Sequence, residues 1–235
     1  MSRLDEAKRE LRKYADREKA KLLLRFFKTK PGDYAEGDIL IGVTVPFARK
    51  VVKKFPELSL SDLIKLLRSK IHEERFLALL ILVLQFNKAE AKVKGRIFKV
   101  YLANTRFINN WDLVDVSAPQ IVGAFLRDKD RQILYRLAKS ALLWERRIAI
   151  LATFTFIKSN DLDDVFGIAK LLLSDKEDLI HKACGWMLRE AGKRDAAAEE
   201  RFLRKNCRLM PRTMLRYAIE KFPRKKREVF LLGKV

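Results

Sequence analysis

Cysteine is almost missing from this chain. Cys184 and Cys207 are the only two in 235 residues, and they form no CxxC pair, so neither a disulfide framework nor a zinc ribbon can be built. That usage fits a reducing compartment. Glycine (9) and proline (6) are few and unclustered, so no linker divides the chain. A single domain over residues 1–235 is expected, long enough to bury a core without a crosslink or a metal. Long apolar runs are missing too: the longest near-uninterrupted one, Phe76 to Phe86, is about half of a bilayer span. The first residues, MSRLDEAKRELRKYADREKAK, lack a signal-peptide core and hold too many acids for a transit peptide. There is no P-loop, GxGxxG, GxSxG or HExxH, and the two histidines, His72 and His181, have no ligand-like neighbours at metal spacing. Metal-based and serine-triad hydrolases are thereby disfavoured, and no cofactor is expected. A single-carboxylate mechanism is the one enzyme chemistry the residues invite.

What is abundant is positive charge. Lys plus Arg is 51 against 30 Asp plus Glu, a net +21 with a pI near 10.1, on a chain that is 49% hydrophobic. The apolar content excludes disorder. A stable fold with so much uncompensated charge repels itself, and the usual reason to carry it is a polyanion: nucleic acid, or less often an anionic membrane surface.

Apolar residues recur at i, i+3, i+4 and i+7 along nearly the whole chain, which predicts an all-helical protein. Candidate helices run over about 3–28, 46–55, 59–70, 73–88, 90–105, 110–126, 130–140, 143–158, 162–173, 176–192, 195–206 and 211–222, with a basic tail from about 224. Asp38 to Val45 (DILIGVTV) reads better as a loop leading into a helix at Pro46, where proline is tolerated, than as a strand. Many short helices with brief connections predict an α-solenoid of HEAT-like repeats. Aligning Arg75, Arg147, Lys182 and Arg216 supports it: 147 − 75 = 72, or two steps of 36, then 182 − 147 = 35 and 216 − 182 = 34. The missing intermediate position is Trp111. Equivalent positions on second helices would line one concave basic groove, with Leu79, Asp115, Leu151, Trp186 and Glu220 one turn further along.

Two readings stand for each motif. In Trp111-Asp112-Leu113-Val114-Asp115 the i, i+4 spacing sets an indole beside a carboxylate. Alternatively, Asp112 charges a helix start after Asn109 and Asn110, Trp111 packs in the core and Asp115 is solvated. Trp186 follows Gly185, which would let a backbone or ligand approach closely, or is an ordinary core residue, as Trp144 is expected to be. Arg146 and Arg147 point about 100° apart, so only one serves a given groove. The run Lys221 to Arg227 (KFPRKKR) would hold phosphates or form a mobile tail.

Together, Trp111-Asp112-Leu113-Val114-Asp115, Trp144-Glu145-Arg146-Arg147-Ile148-Ala149-Ile150 and Ala183-Cys184-Gly185-Trp186-Met187-Leu188-Arg189-Glu190 resemble the DNA alkylation repair family of HEAT-like-repeat alkylpurine DNA glycosylases. Gly42-Val43-Thr44-Val45-Pro46-Phe47-Ala48-Arg49 extends the resemblance, which covers most of residues 20–222. It implies a catalytic carboxylate at Asp115, DNA-facing tryptophans at Trp111 and Trp186, and phosphate-binding arginines at Arg147 and Arg189. The family's N-terminal site aromatic matches Phe26, and Lys182 and Arg49 would add phosphate contacts. The implied activity is monofunctional excision of cationic N3- and N7-alkylated purines from double-stranded DNA in base excision repair, without base flipping. The expected protein is monomeric, cytoplasmic and nucleoid-associated, with no membrane partner and no small-molecule cofactor. The alternative of another class is a non-catalytic helical-repeat protein that binds DNA or structured RNA through the same groove.

Overall fold

The 3.6-residue spacing of apolar side chains is realised as helices in a computed structural model, which describes residues 2–234. The chain divides into two compact units, Met1–Ser117 and Ala118–Val235. The first holds α1 (Arg3–Arg12), α2 (Arg17–Phe26), α3 (Val45–Lys54), α4 (Leu60–Leu67), α5 (His72–Lys88), α6 (Ala91–Leu102) and α7 (Trp111–Ser117). Helix α5 is its hub. It is apolar almost all round, buries Phe76, Leu77, Leu79, Ile81, Leu82 and Phe86, and takes α3, α4, α6 and α7 against its sides. Such a helix belongs inside a core rather than on a surface.

The expected helix over 3–28 is two helices. The first closes at Lys13, and Asp16 caps the second: its carboxylate accepts from the amides of Glu18 and Lys19, and its own N–H donates to the Ile41 carbonyl at 2.9 Å. Aspartate is a strong N-cap and a poor interior residue, so the chain turns there although the apolar pattern continues. The Asp38–Val45 segment is a loop, as expected, with an isolated bridge between Ile39 and Ile71, the residue just before α5. At its centre Gly42 has φ +82°, and a side chain there would strike the Asp16 carbonyl. The buried carboxylate of Glu73 accepts from the amides of Ile41, Gly42 and Val43, which fixes the approach to Pro46 in the first turn of α3.

The second unit opens with a π turn, Ala118–Gly123, then α8 (Ala124–Leu126), α9 (Gln132–Leu137), α10 (Leu143–Ala152), α11 (Phe154–Lys158), α12 (Asp163–Leu171), α13 (Asp178–Gly192), α14 (Ala196–Asn206), α15 (Arg212–Ala218) and α16 (Arg224–Leu231). Pro119 has no N–H to donate four residues back, and the wider turn forms around it. The expected helix over 143–158 is interrupted at Thr153, whose hydroxyl donates to the Ile150 carbonyl at 2.6 Å. Helix α13 is the hub here and packs on α10, α12, α14 and α15. Trp144 is a core residue at 4% exposure, in line with expectation.

The basic tail expected from 224 is helix α16. Phe230, 2% exposed, packs edge-on against Phe222 at 5.7 Å, and Lys226 reaches Glu200 at 2.5 Å. One well-placed aromatic is enough to dock a short charged helix. Among the described residues there is no strand, and the fold is an all-α helical repeat. Arg75, Trp111, Arg147, Lys182 and Arg216 fall on α5, α7, α10, α13 and α15, the helices that the repeat period marks as equivalent.

Candidate active site

Helix α7 begins where Asn110, fully buried, accepts the Trp111 amide on its side chain at 2.8 Å and the Val114 amide on its carbonyl at 3.1 Å. The helix then divides by face. Leu113, Val114 and Ser117 are buried, whereas Trp111, Asp112 and Asp115 remain half-exposed. The Trp111 indole meets Phe26 edge-on at 5.6 Å and lies tilted against Phe27 at 5.5 Å. Phe26 is 61% exposed at the end of α2, a helix with no buried residue. Trp111 and Phe26, far apart in the chain, are therefore brought together, and Asp115 follows Trp111 by one helical turn. Neighbouring groups engage Asp115, and its charge reaches the buried Tyr101 phenol. Burial raises that phenol above its ordinary range, a hydrogen bond with Ser117 opposes the rise, and Asp115 adds to it.

Of the expected cations in this unit, Arg49 is exposed on α3. Arg75 departs from the groove-lining position that its repeat register suggests. It is 3% exposed and bound to Asp38 at 2.5 Å, because a guanidinium buried beside a carboxylate is far cheaper to keep paired than free.

In the second unit the residues of interest follow one another along α13. Lys182 pairs with Asp178 at 2.7 Å. Trp186, half-exposed, lies tilted against Phe154 at 6.0 Å. Arg189 pairs with Glu220, while its buried Nε, 3.8 Å from the Glu190 carboxylate, has no hydrogen-bond partner among the described residues. The neighbour of Trp186, Gly185, admits protein backbone: a methyl group there would collide with the Met214 carbonyl and the Tyr217 Cβ of α15. Arg146 and Arg147 diverge as their adjacency requires. Arg146 holds Asp175 at 2.6 Å, and Arg147, 5% exposed, donates to the Leu179 carbonyl at 2.6 Å. Arg147 is thus the least accessible of the expected phosphate ligands.

Sequence reasoning missed the buried polar group beneath α7. His72 stands between Asp112 (2.8 Å) and Asp38 (3.4 Å), and Asn109 donates to Asp38 at 3.2 Å. Burial works against a charged imidazole, but the hydrogen bonds to Asp112 and Asp38 outweigh it and raise the His72 pKa to about 9. The partners come from separate segments, so local spacing carries no trace of them.

A sequence profile of the family described as DNA alkylation repair enzyme matches residues 7–222. The chain belongs to that family. All the motifs that carry the resemblance, from Gly42 to Glu190, lie inside the matched span. A solved structure of similar fold is a "Predicted DNA alkylation repair enzyme from Enterococcus faecalis", 14% identical, with a TM-score of 0.69 over 89% of this chain and 97% of that one. No curated protein matches the chain. Membership in the DNA alkylation repair family ties the chain to repair of alkylated DNA. Among the described residues no helix is long and apolar enough to cross a membrane.

Proposed function

We propose that this family member is a monofunctional DNA glycosylase that removes N3- and N7-alkylated purines from duplex DNA, acting as one domain. The observation that supports this best is Asp115, a half-exposed carboxylate one turn along α7 from an indole whose edge meets an exposed phenylalanine. A purine alkylated at N3 or N7 is already a cation and leaves readily. As its C1′–N bond lengthens, positive charge builds on the deoxyribose. A fixed carboxylate stabilises that charge, and Asp115 also orients the water that forms the new C1′–O bond and accepts its proton. The base departs neutral with the bonding electron pair. Trp111 and Trp186 offer aromatic faces to the charged sugar, about 0.5–2 kcal/mol each. Arg49, Lys182 and Arg189 neutralise phosphates, with a smaller share for Arg147, and Phe26 packs against the DNA. No lysine stands in the Asp115 register to form a Schiff base, so the strand is left uncut. The lesion stays stacked, and charge on the nucleoside rather than a base edge is what is selected. Neutral lesions are accordingly poor substrates.

The test is release of free base from methylated duplex by wild type and by Asp115→Asn. Loss of about 10²–10³-fold in the single-turnover rate, with duplex affinity kept, is the expected result. Equal binding by both proteins without base release would favour the non-catalytic reading.

A further inference from the structure

His72 is the first residue of α5, and it is 2% exposed. A carboxylate oxygen faces each ring nitrogen, Asp112 Oδ2 at Nε2 and Asp38 Oδ2 at Nδ1, and both nitrogens donate only when the ring is protonated. The two carboxylates are not held alike. Asp38 also receives Arg75 and Asn109, whereas among the described residues the one side chain bonded to Asp112 is His72, its other oxygen accepting the Leu113 amide. The imidazole has a second contact: Phe27 lies over it at 4.9 Å and against Trp111 at 5.5 Å, so a single ring bridges His72 and the indole. Packing does little to replace this clamp, because a cavity of about 190 Å³ with apolar walls from Leu23, Leu40, Val43 and Phe76 opens beside His72 and Asp112. Stability alone does not account for the arrangement. A positive charge at a helix N-terminus opposes the helix dipole, and a buried ion pair is seldom more stabilising than an apolar replacement.

We propose that His72 is a positioning residue for base excision: through Asp112 and Phe27 it fixes the first turn of α7, and with it the Trp111 indole and the Asp115 carboxylate. This rests on the reading of Trp111 and Asp115 as the reacting groups. The charged groups around His72 are Asp38 from the loop before α3, Arg75 and Glu73 from α5, and Asp112 from α7. Glu73 is already committed to three amides, and Arg75 opposes the imidazolium. The clamp is therefore closed at neutral pH and opens as pH rises through about 9.

The experiment combines a spectroscopic and a kinetic readout. With 5-fluorotryptophan at all three tryptophans, the ¹⁹F resonance of Trp111, assigned by its loss in Trp111→Phe, should shift with a midpoint near pH 9. That shift should vanish in His72→Gln. On methylated duplex, His72→Gln should lower the single-turnover rate at saturating protein at least tenfold, with the duplex Kd changed less than twofold. Asp112→Asn, which loosens the clamp from the other side, should reproduce both effects if His72→Gln fails to fold. A Trp111 resonance that is flat between pH 7 and 10, or that still titrates in His72→Gln, overturns the clamp, as does an unchanged rate in both variants. Wild type that titrates as expected yet releases no base overturns the glycosylase reading instead.

Discussion

Glu199 is 3% exposed, and one of its carboxylate oxygens has no hydrogen-bond partner among the described residues; it lies against Gly192, where even a methyl group would strike it. Burial pushes its pKa up to about 8, and the nearby Lys226 and Arg189 lower it only in part. A carboxyl whose folded pKa lies above its unfolded value binds a proton more readily in the fold, so it withdraws stability as pH rises from about 4.5 to about 8. His72, raised from 6.5 to about 9, likewise loses its contribution as pH rises through that window. Glu199→Gln should remove the first decline and keep the second. Calorimetry between pH 4 and 10 should show a Tm above wild type by several degrees at pH 8.5, and no difference at pH 4. A profile parallel to wild type would count against a buried charge at this position. In the sequence, Glu199 and Glu200 look alike. In the fold Glu200 reaches Arg204 and Lys226, while its neighbour, about 100° around the helix, has no such partner. Which of two adjacent glutamates is buried depends on α13, and no local pattern carries that.

At the scale of elements, the pairing of α13 with α15 turns on Gly185. Alanine would gain about 1 kcal/mol in helix propensity, but it must push against the Met214 carbonyl and the Tyr217 Cβ, and overpacking of backbone costs about 1–3 kcal/mol. Gly185→Ala should therefore lower Tm by several degrees, measured by thermal unfolding. A rise would mean that α15 yields easily. Most helices were legible because a 3.6-residue apolar stripe is written into each of them. Their ends were less so. The stripe continues across Asp16 and Thr153, where the chain breaks, since both flanking helices are amphipathic and only the capping chemistry distinguishes a turn from another helical residue. The charge of KFPRKKR likewise outweighed Phe222 and Phe230, the two rings that settle α16 on the fold.

For the whole molecule, helical repetition was legible from period and connection length, and a chain only 14% identical reaches a TM-score of 0.69 with it. Fold at this level depends on where apolar side chains recur, not on which ones they are. The residues proposed for the site stand out in the sequence by rare type and fixed spacing, as at Trp111, Asp115 and Trp186. The site was illegible where a cation finds a distant carboxylate, as Arg75 does with Asp38. The net charge of +21 hides many such partnerships, and two of them involve cations proposed above to neutralise phosphates. Lys182 and Arg189 already hold Asp178 and Glu220. When a lysine or arginine displaces a sodium ion condensed on a DNA phosphate, the ion leaves and gains entropy, which gives DNA binding its salt dependence. The carboxylate that gives up Arg189 stays tethered to the chain and takes up a sodium ion in its place, so the net release is smaller. Duplex affinity should thus fall less steeply with salt than the number of phosphate contacts suggests. Glu220→Gln should tighten binding at low salt and steepen the log–log slope by about 0.9, read by fluorescence anisotropy across a salt series. An unchanged slope would mean that Arg189 does not meet a phosphate. On the proposed reading, the carboxylates paired with Lys182 and Arg189 act as resident counter-ions, so a protein this basic would grip DNA moderately and keep that grip over a wide range of ionic strength.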